Sequence, residues 1–146
     1  MTTNRKLKVL FLCTGNSCRS QMAEGWARAL KNDVLEPYSA GIEAHGMNPR
    51  AVQVMAEADV DITAQHSKTT DEVADTPFDY VLTVCDQAAE VCPLFPGPGR
   101  VIHHSFPDPA QATGSEEEIL AVFRQVRDEI RDWVAGMPEN LTAVSP

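Results

Sequence analysis

The chain has 146 residues, enough for one domain to bury a core without disulfide or metal staples, and no apolar run approaches the roughly 18 residues of a membrane span. Its net charge of -9 argues against general nucleic-acid or anionic-membrane binding, which needs basic surfaces, so any anion site must be local. The polar, basic start Met1 to Lys8 has no apolar h-region of a signal peptide behind it. A cytoplasmic protein is therefore expected, with its four cysteines (Cys13, Cys18, Cys85, Cys92) reduced, catalytic or metal-bound rather than structural disulfides.

The run Lys8 to Cys13, stopped by Thr14-Gly15-Asn16, predicts a buried strand feeding a turn. From Ser20, Met22, Trp26, Ala29 and Leu30 fall at helical spacing, and the pattern ends near Asn32 and Asp33. A second strand is expected within Val34 to Ala40, at a sheet edge because of Pro37. Asn48-Pro49 reads as an N-cap and first helical residue, opening a helix to about Ala58, with a short third helix near Thr69 to Ala74. Phe78 to Cys85 is the next strand and Arg100 to His104 a shorter one, beyond the Pro/Gly-rich stretch Pro93 to Gly99. His103 and His104 alternate along it, one expected toward the core and one toward solvent, with no catalytic role for either. Ile119, Phe123, Val126, Ile130 and Trp133 mark a last helix, capped by Ser115 and Glu118 and ending near Gly136-Met-Pro138, with a frayed tail to Pro146. Met22, Trp26 and Trp133 read as core. Strands alternating with helices predict an α/β sandwich on a mainly parallel sheet, with its ligand site at the carboxyl ends of the strands. Cys13 and Cys85 each close such a strand.

Cys13-Thr14-Gly15-Asn16-Ser17-Cys18-Arg19-Ser20 places a cysteine at a strand end and an arginine five residues later, where a helix begins. A turn with Gly15 can point successive backbone N–H groups inward, the helix N-terminus adds positive potential, and Arg19 offers a planar fork for two oxygens. Thr14 to Arg19 together form a cage for a tetrahedral oxyanion. The same surroundings favour the thiolate of Cys13, making it a nucleophile, with Ser20 placed to hydrogen-bond its sulfur or simply to start the helix. A buried cysteine beside a surface arginine is the bland alternative, and the strand, loop and helix context tells against it.

Cys13 to Gly25, Tyr38 to Glu43 (Tyr-Ser-Ala-Gly-Ile-Glu), His45 to Pro49 (His-Gly-Met-Asn-Pro) and Phe106 to Ala110 (Phe-Pro-Asp-Pro-Ala) resemble, as a set and in this order, the thioredoxin-coupled arsenate reductases. These share the fold and anion loop of the low-molecular-weight protein tyrosine phosphatases. The resemblance covers about residues 7 to 135 of one expected domain, 1–146. It implies a three-layer α/β sandwich with a four-stranded mainly parallel sheet, arsenate as substrate, no bound cofactor, and thioredoxin as external reductant; a monomer is expected. It also implies that Asp108 is the general acid. The phosphatases follow Asp-Pro with a tyrosine that walls the phosphotyrosine site, whereas Ala110 stands here, which favours a small inorganic substrate.

Cys85 and Cys92 bear on the choice between reductase and phosphatase. If the strands ending in Cys13 and Cys85 are neighbours, as the resembled fold implies, their ends lie about 4.8 Å apart. Cys85 can then attack a sulfur on Cys13, with Cys92 resolving the product. Were 85 to 92 helical, seven rises of about 1.5 Å would hold the two Cα atoms beyond disulfide reach, so that bond requires the segment to refold. Other readings stay open: a Cys13–Cys18 oxidative catch, though Cys18 fits a small buried loop residue better; zinc on Cys85, Cys92, His103 and His104, disfavoured by the cysteine spacing; a phosphatase; or a non-enzymatic thiol sensor. Some of the resembled reductases hold potassium behind the anion loop, at groups corresponding to Asn16, Glu24, Ser39 and an aspartate. Lys68 stands at the aspartate position, so potassium is doubtful, and its ammonium is expected to take the ion's place, pairing with Glu24 and fixing Asn16.

Overall fold

The structure, a computed structural model, describes residues 6–85 and 99–142. Strand β1 (Leu7–Cys13) leads through the Cys13–Arg19 loop into helix α1 (Arg19–Lys31), then β2 (Leu35–Gly41) and α2 (Pro49–Glu57). After one 3-10 turn (Thr70–Val73) come β3 (Tyr80–Thr83), β4 (Arg100–His103), a second 3-10 turn (Pro109–Gln111), α3 (Glu116–Ala135) and α4 (Glu139–Thr142). The sheet order is β2-β1-β3-β4, and every ladder is parallel.

β1 is central and covered on both faces, which is why its sequence is a continuous apolar run rather than an alternating one. Val9 and Phe11 join the core beneath α1, α2 and α3, where Met22, Met55, Phe123 and Ile130 are fully buried. Leu10 and Leu12 face the other way, into a smaller cluster with Val73, Phe78 and Tyr38. Helices, sheet and turn stack as three layers, the third thin among the described residues. Each large apolar side chain so buried stabilises the fold by about 1.5–3 kcal/mol. Pro37 lies on β2, an edge strand, where a proline does least harm to a ladder.

The caps follow the sequence closely. The Asn48 side chain accepts from the backbone N–H groups of Arg50 and Ala51 with Pro49 behind it, and Ser115 and Glu118 close a reciprocal capping box on α3. The helix expected over Thr69 to Ala74 is a single 3-10 turn, boxed by Thr69 and Glu72. The strand expected over Phe78 to Cys85 ladders only at 80–83, although Asp79 N–H still donates to Lys8 O and Val84 N–H to Leu12 O.

Three expectations are corrected. The tail does not fray at once: α4 follows, and Leu141 is buried, because Met137 and Leu141 still find core surface beside α3. Neither His103 nor His104 points into the core; both are exposed, since β4 is an edge strand. His104 stacks on Trp133, and Thr83 Oγ and His103 Nδ1 are 2.7 Å apart. Trp133 itself stands at the core's margin, edge-on to Phe11.

Candidate active site

The parallel sheet delivers the carboxyl end of β1 to one edge of the molecule, and the chain leaves it as a tight loop that becomes α1. Cys13 and Cys18 are buried free thiols. The loop's carbonyls are tied off on the outside. Thr14 O accepts from Glu43 N–H, Gly15 O from His45 N–H, Ser17 O from Asn48 N–H and Cys18 O from Met22 N–H, while Asn16 O accepts from Gln21 Nε2. With the carbonyls engaged behind, the loop's amides are left for the cavity side. The N-terminus of α1 has no side-chain cap and no acidic residue in its first turn, so its unsatisfied N–H groups add positive potential there. The residue that takes the left-handed turn is Asn16 (φ 48°) and not Gly15. Gly15 is needed for a different reason: a Cβ there would lie 2.3 Å from His45 Nδ1.

A cavity of about 390 Å³ opens over this loop. Cys13, Thr14, Gly15, Ser17, Cys18 and Arg19 line it from the loop, Asp108, Ala110 and Gln111 from the second 3-10 turn, and His45 from the segment between β2 and α2. Ser20 Oγ is 2.8 Å from Cys13 Sγ and accepts from Asn16 Nδ2, which leaves the hydroxyl hydrogen free to point at the sulfur. The Arg19 guanidinium is buried; it donates to Phe106 O at 3.2 Å and lies 3.6 Å from Asp108 Oδ2. Asp108 also caps its own turn, accepting from Ala110 N–H. Burial pushes the Cys18 thiol up to about 12, against a weaker opposing hydrogen bond from Ser17, which keeps it protonated and unreactive.

Asn16 does not line the cavity; its side chain faces inward, where Oδ1 accepts from Gln21 Nε2 and from the Lys68 backbone N–H, each at 2.8 Å. Gln65 Nε2 in turn donates to Gln21 Oε1. Behind them Glu24, buried, accepts from Ser39 Oγ at 2.6 Å and from Arg28 at 2.8 Å. Lys68 Nζ stands 3.9 Å from Glu24 Oε1 and donates to His66 O. So Lys68 reaches Asn16 through its backbone rather than its ammonium, a correction to the expected contact. Arg28 is Glu24's closer cation.

Gln21, Arg28, Gln65 and His45 escaped the sequence reading. Gln21 and His45 lie inside the motif stretches, but nothing in residue type or spacing shows which face of a loop they support. Cys85 is fully buried two residues beyond β3, the strand that pairs with β1, and does not line the cavity. It is disulfide-bonded. Cys92 lies outside the described residues, as does the segment whose refolding was expected. Among the described residues no group of His, Cys, Asp or Glu is placed to hold a metal, and no helix is long and apolar enough to cross a membrane.

The family model described as low molecular weight phosphotyrosine protein phosphatase matches residues 8–144. The chain belongs to this family. Within it, the chain is 54% identical over 137 residues to an arsenate reductase of Halalkalibacterium halodurans (94% of this chain, 98% of the relative). It is 52% identical over 132 residues to an arsenate reductase of Bacillus subtilis (90% and 95%). Among solved structures, an arsenate reductase in its oxidised state superposes with a TM-score of 0.74 at 31% identity, over 93% of this chain and 96% of that one. The four-stranded parallel sheet is thus the family's fold, and the family resemblance drawn from the motifs holds.

Proposed function

We propose that the chain reduces arsenate to arsenite through a cysteine relay recycled by thioredoxin. The observation that carries the reading is the pairing of a free Cys13 thiol on the floor of an amide-lined oxyanion cage with a second, disulfide-bonded cysteine, Cys85, just beyond the adjacent parallel strand. Hydrolysis of a phosphate ester needs only the first; reduction needs both.

The Cys13 thiolate attacks arsenic, with Arg19 and the amides of residues 14–19 holding the oxygens, and Asp108 protonates a departing hydroxyl so that water leaves. The Cys85 thiolate then attacks Cys13 Sγ. The sulfur–arsenic bond breaks, its electron pair stays on arsenic, and arsenite departs as Cys13–Cys85 forms. Cys92 attacks Cys85 Sγ and displaces Cys13 as a thiolate, leaving Cys85–Cys92. The two electrons delivered to arsenic come from these thiols and are restored by the external dithiol. A free Cys13 beside an oxidised Cys85 is the state that such a cycle leaves behind, and a fully buried Cys85 means that its approach to Cys13 requires local motion. Ala110 at the cavity wall leaves open space where an aryl ester would need an aromatic partner.

Ser20 holds the sulfur and Asn16, Glu24, Ser39 and Lys68 hold the loop; the Lys68 ammonium supplies positive charge that would otherwise come from a potassium ion. The protein works in the cytoplasm as a monomer. Arsenate-dependent NADPH consumption in the presence of thioredoxin and thioredoxin reductase tests the reading. Phosphate-ester hydrolysis with no arsenate-dependent turnover would leave a phosphatase.

A further inference from the structure

Glu43 and His45 lie on the segment between β2 and α2, and neither has a part in the reaction above. Their backbone N–H groups hold Thr14 O and Gly15 O, so the segment is registered against the anion loop independently of its side chains. The His45 imidazole lies over Gly15, at the cavity wall. Its Nε2 is 2.5 Å from Glu43 Oε1. An ionised carboxylate only accepts, so Nε2 carries the hydrogen, and in the neutral form of such a ring the lone pair is at Nδ1. No hydrogen-bond partner for Nδ1 is found among the described residues.

We infer that Glu43 and His45 form a selectivity pair, in which Nδ1 accepts the hydrogen of an oxyanion hydroxyl and so favours hydrogen arsenate and hydrogen phosphate over fully ionised sulfate. The inference rests on the oxyanion-site reading and adds a discriminating residue to it. The donors of the cage, amides and Arg19, hold any tetrahedral dianion of similar size, and Asp108 stands at the wall with Arg19. A further acceptor, at Nδ1, sharpens the choice, because sulfate has no hydrogen to give and meets the lone pair with its own. Asp108 also lines the cavity and is unchanged in every variant below, so the comparison holds its contribution constant.

The test is calorimetric titration of the reduced, full-length protein with inorganic phosphate and with sulfate, at about pH 8 where phosphate keeps one hydroxyl and sulfate none. The wild type should prefer phosphate, and His45→Ala should lower the ratio of sulfate Kd to phosphate Kd by about tenfold. Its strap bonds are backbone bonds and persist. Glu43→Ala, which frees the ring's tautomer, should lower the ratio less, and His45→Asn, whose amide can offer an acceptor near the Nδ1 position, should keep much of it. Equal weakening of both anions in His45→Ala, or an unchanged ratio, would overturn the pair's role and leave the imidazole as packing over Gly15. Failure of the wild type to bind either anion would instead remove the oxyanion site itself.

Discussion

At Cys13 the end of a buried strand, the start of a helix and a serine hydroxyl at 2.8 Å converge on one sulfur. Cys13→Ser should therefore abolish both arsenate reduction and any hydrolysis of an activated aryl phosphate, since the hydroxyl is a far poorer nucleophile; survival of either activity would remove Cys13 from the centre. Cys85→Ser should separate the two, stopping multiple-turnover reduction while leaving aryl phosphate hydrolysis within about twofold to threefold, as the residue does not line the cavity. Equal loss of both would make Cys85 structural. Lys68 invites a third measurement. With its ammonium near Glu24, activity should be indifferent to exchanging potassium for sodium at fixed ionic strength, and Lys68→Ala should weaken oxyanion affinity. A specific potassium activation of the wild type would refute the substitution of ammonium for ion.

At the scale of elements, the anion loop is shaped by what grips it from outside. β2 ends at Gly41, where a Cβ would lie 2.6 Å from Thr14 O and 2.9 Å from Asn16 N, so strand and loop approach as closely as backbones can. The chain then runs to Asn48, whose backbone N–H holds Ser17 O while its side chain caps α2. The two duties are separable. Asn48→Ala should cost about 1 kcal/mol of stability, read as a lower urea midpoint at unchanged slope, with turnover at saturating arsenate preserved. A large loss of turnover would mean that the cap, and not only the backbone, shapes the loop. The motif Asn-Pro announced the cap from sequence because capping is local chemistry. The clamp on Ser17 was not legible, because it joins residues brought together only when β2 and β1 pair.

Among the described residues Arg19 and Glu24 are buried charges, while one exposed histidine is partly covered by aromatic rings. His104, stacked on Trp133 and tilted against Phe106, is held below the ordinary imidazole range first by desolvation and then by the charge of His103. Its folded pKa is lower than its unfolded one, so the unfolded chain binds the proton more readily. Stability is then full above about pH 6.5 and declines as pH falls through the depressed folded value. Proton titration by NMR should place the His104 midpoint below that of an exposed histidine, and His104→Gln should flatten the stability profile just under neutrality. An unshifted midpoint would contradict the stacked, desolvated ring. Because Phe106 also provides the carbonyl that holds Arg19, this aromatic margin links α3 to the site.

Asp108 was marked only by the family resemblance, whereas local patterns in the sequence were enough to determine the strand, loop and helix around Cys13, the caps at Asn48 and Ser115, and the edge position of β2. Each depends on neighbours within a turn or on a periodicity that the chain displays directly. Tertiary structure alone decided that Asn16 turns inward to a network of Gln21, Gln65 and the Lys68 backbone, that His103 and His104 are both exposed, that residues 139–142 form a helix, and that His45 lies over Gly15. Apart from Asn16 to Gln21, those hydrogen bonds join segments tens of residues apart and have no local signature: their two ends are ordinary polar residues until the parallel sheet sets their separation.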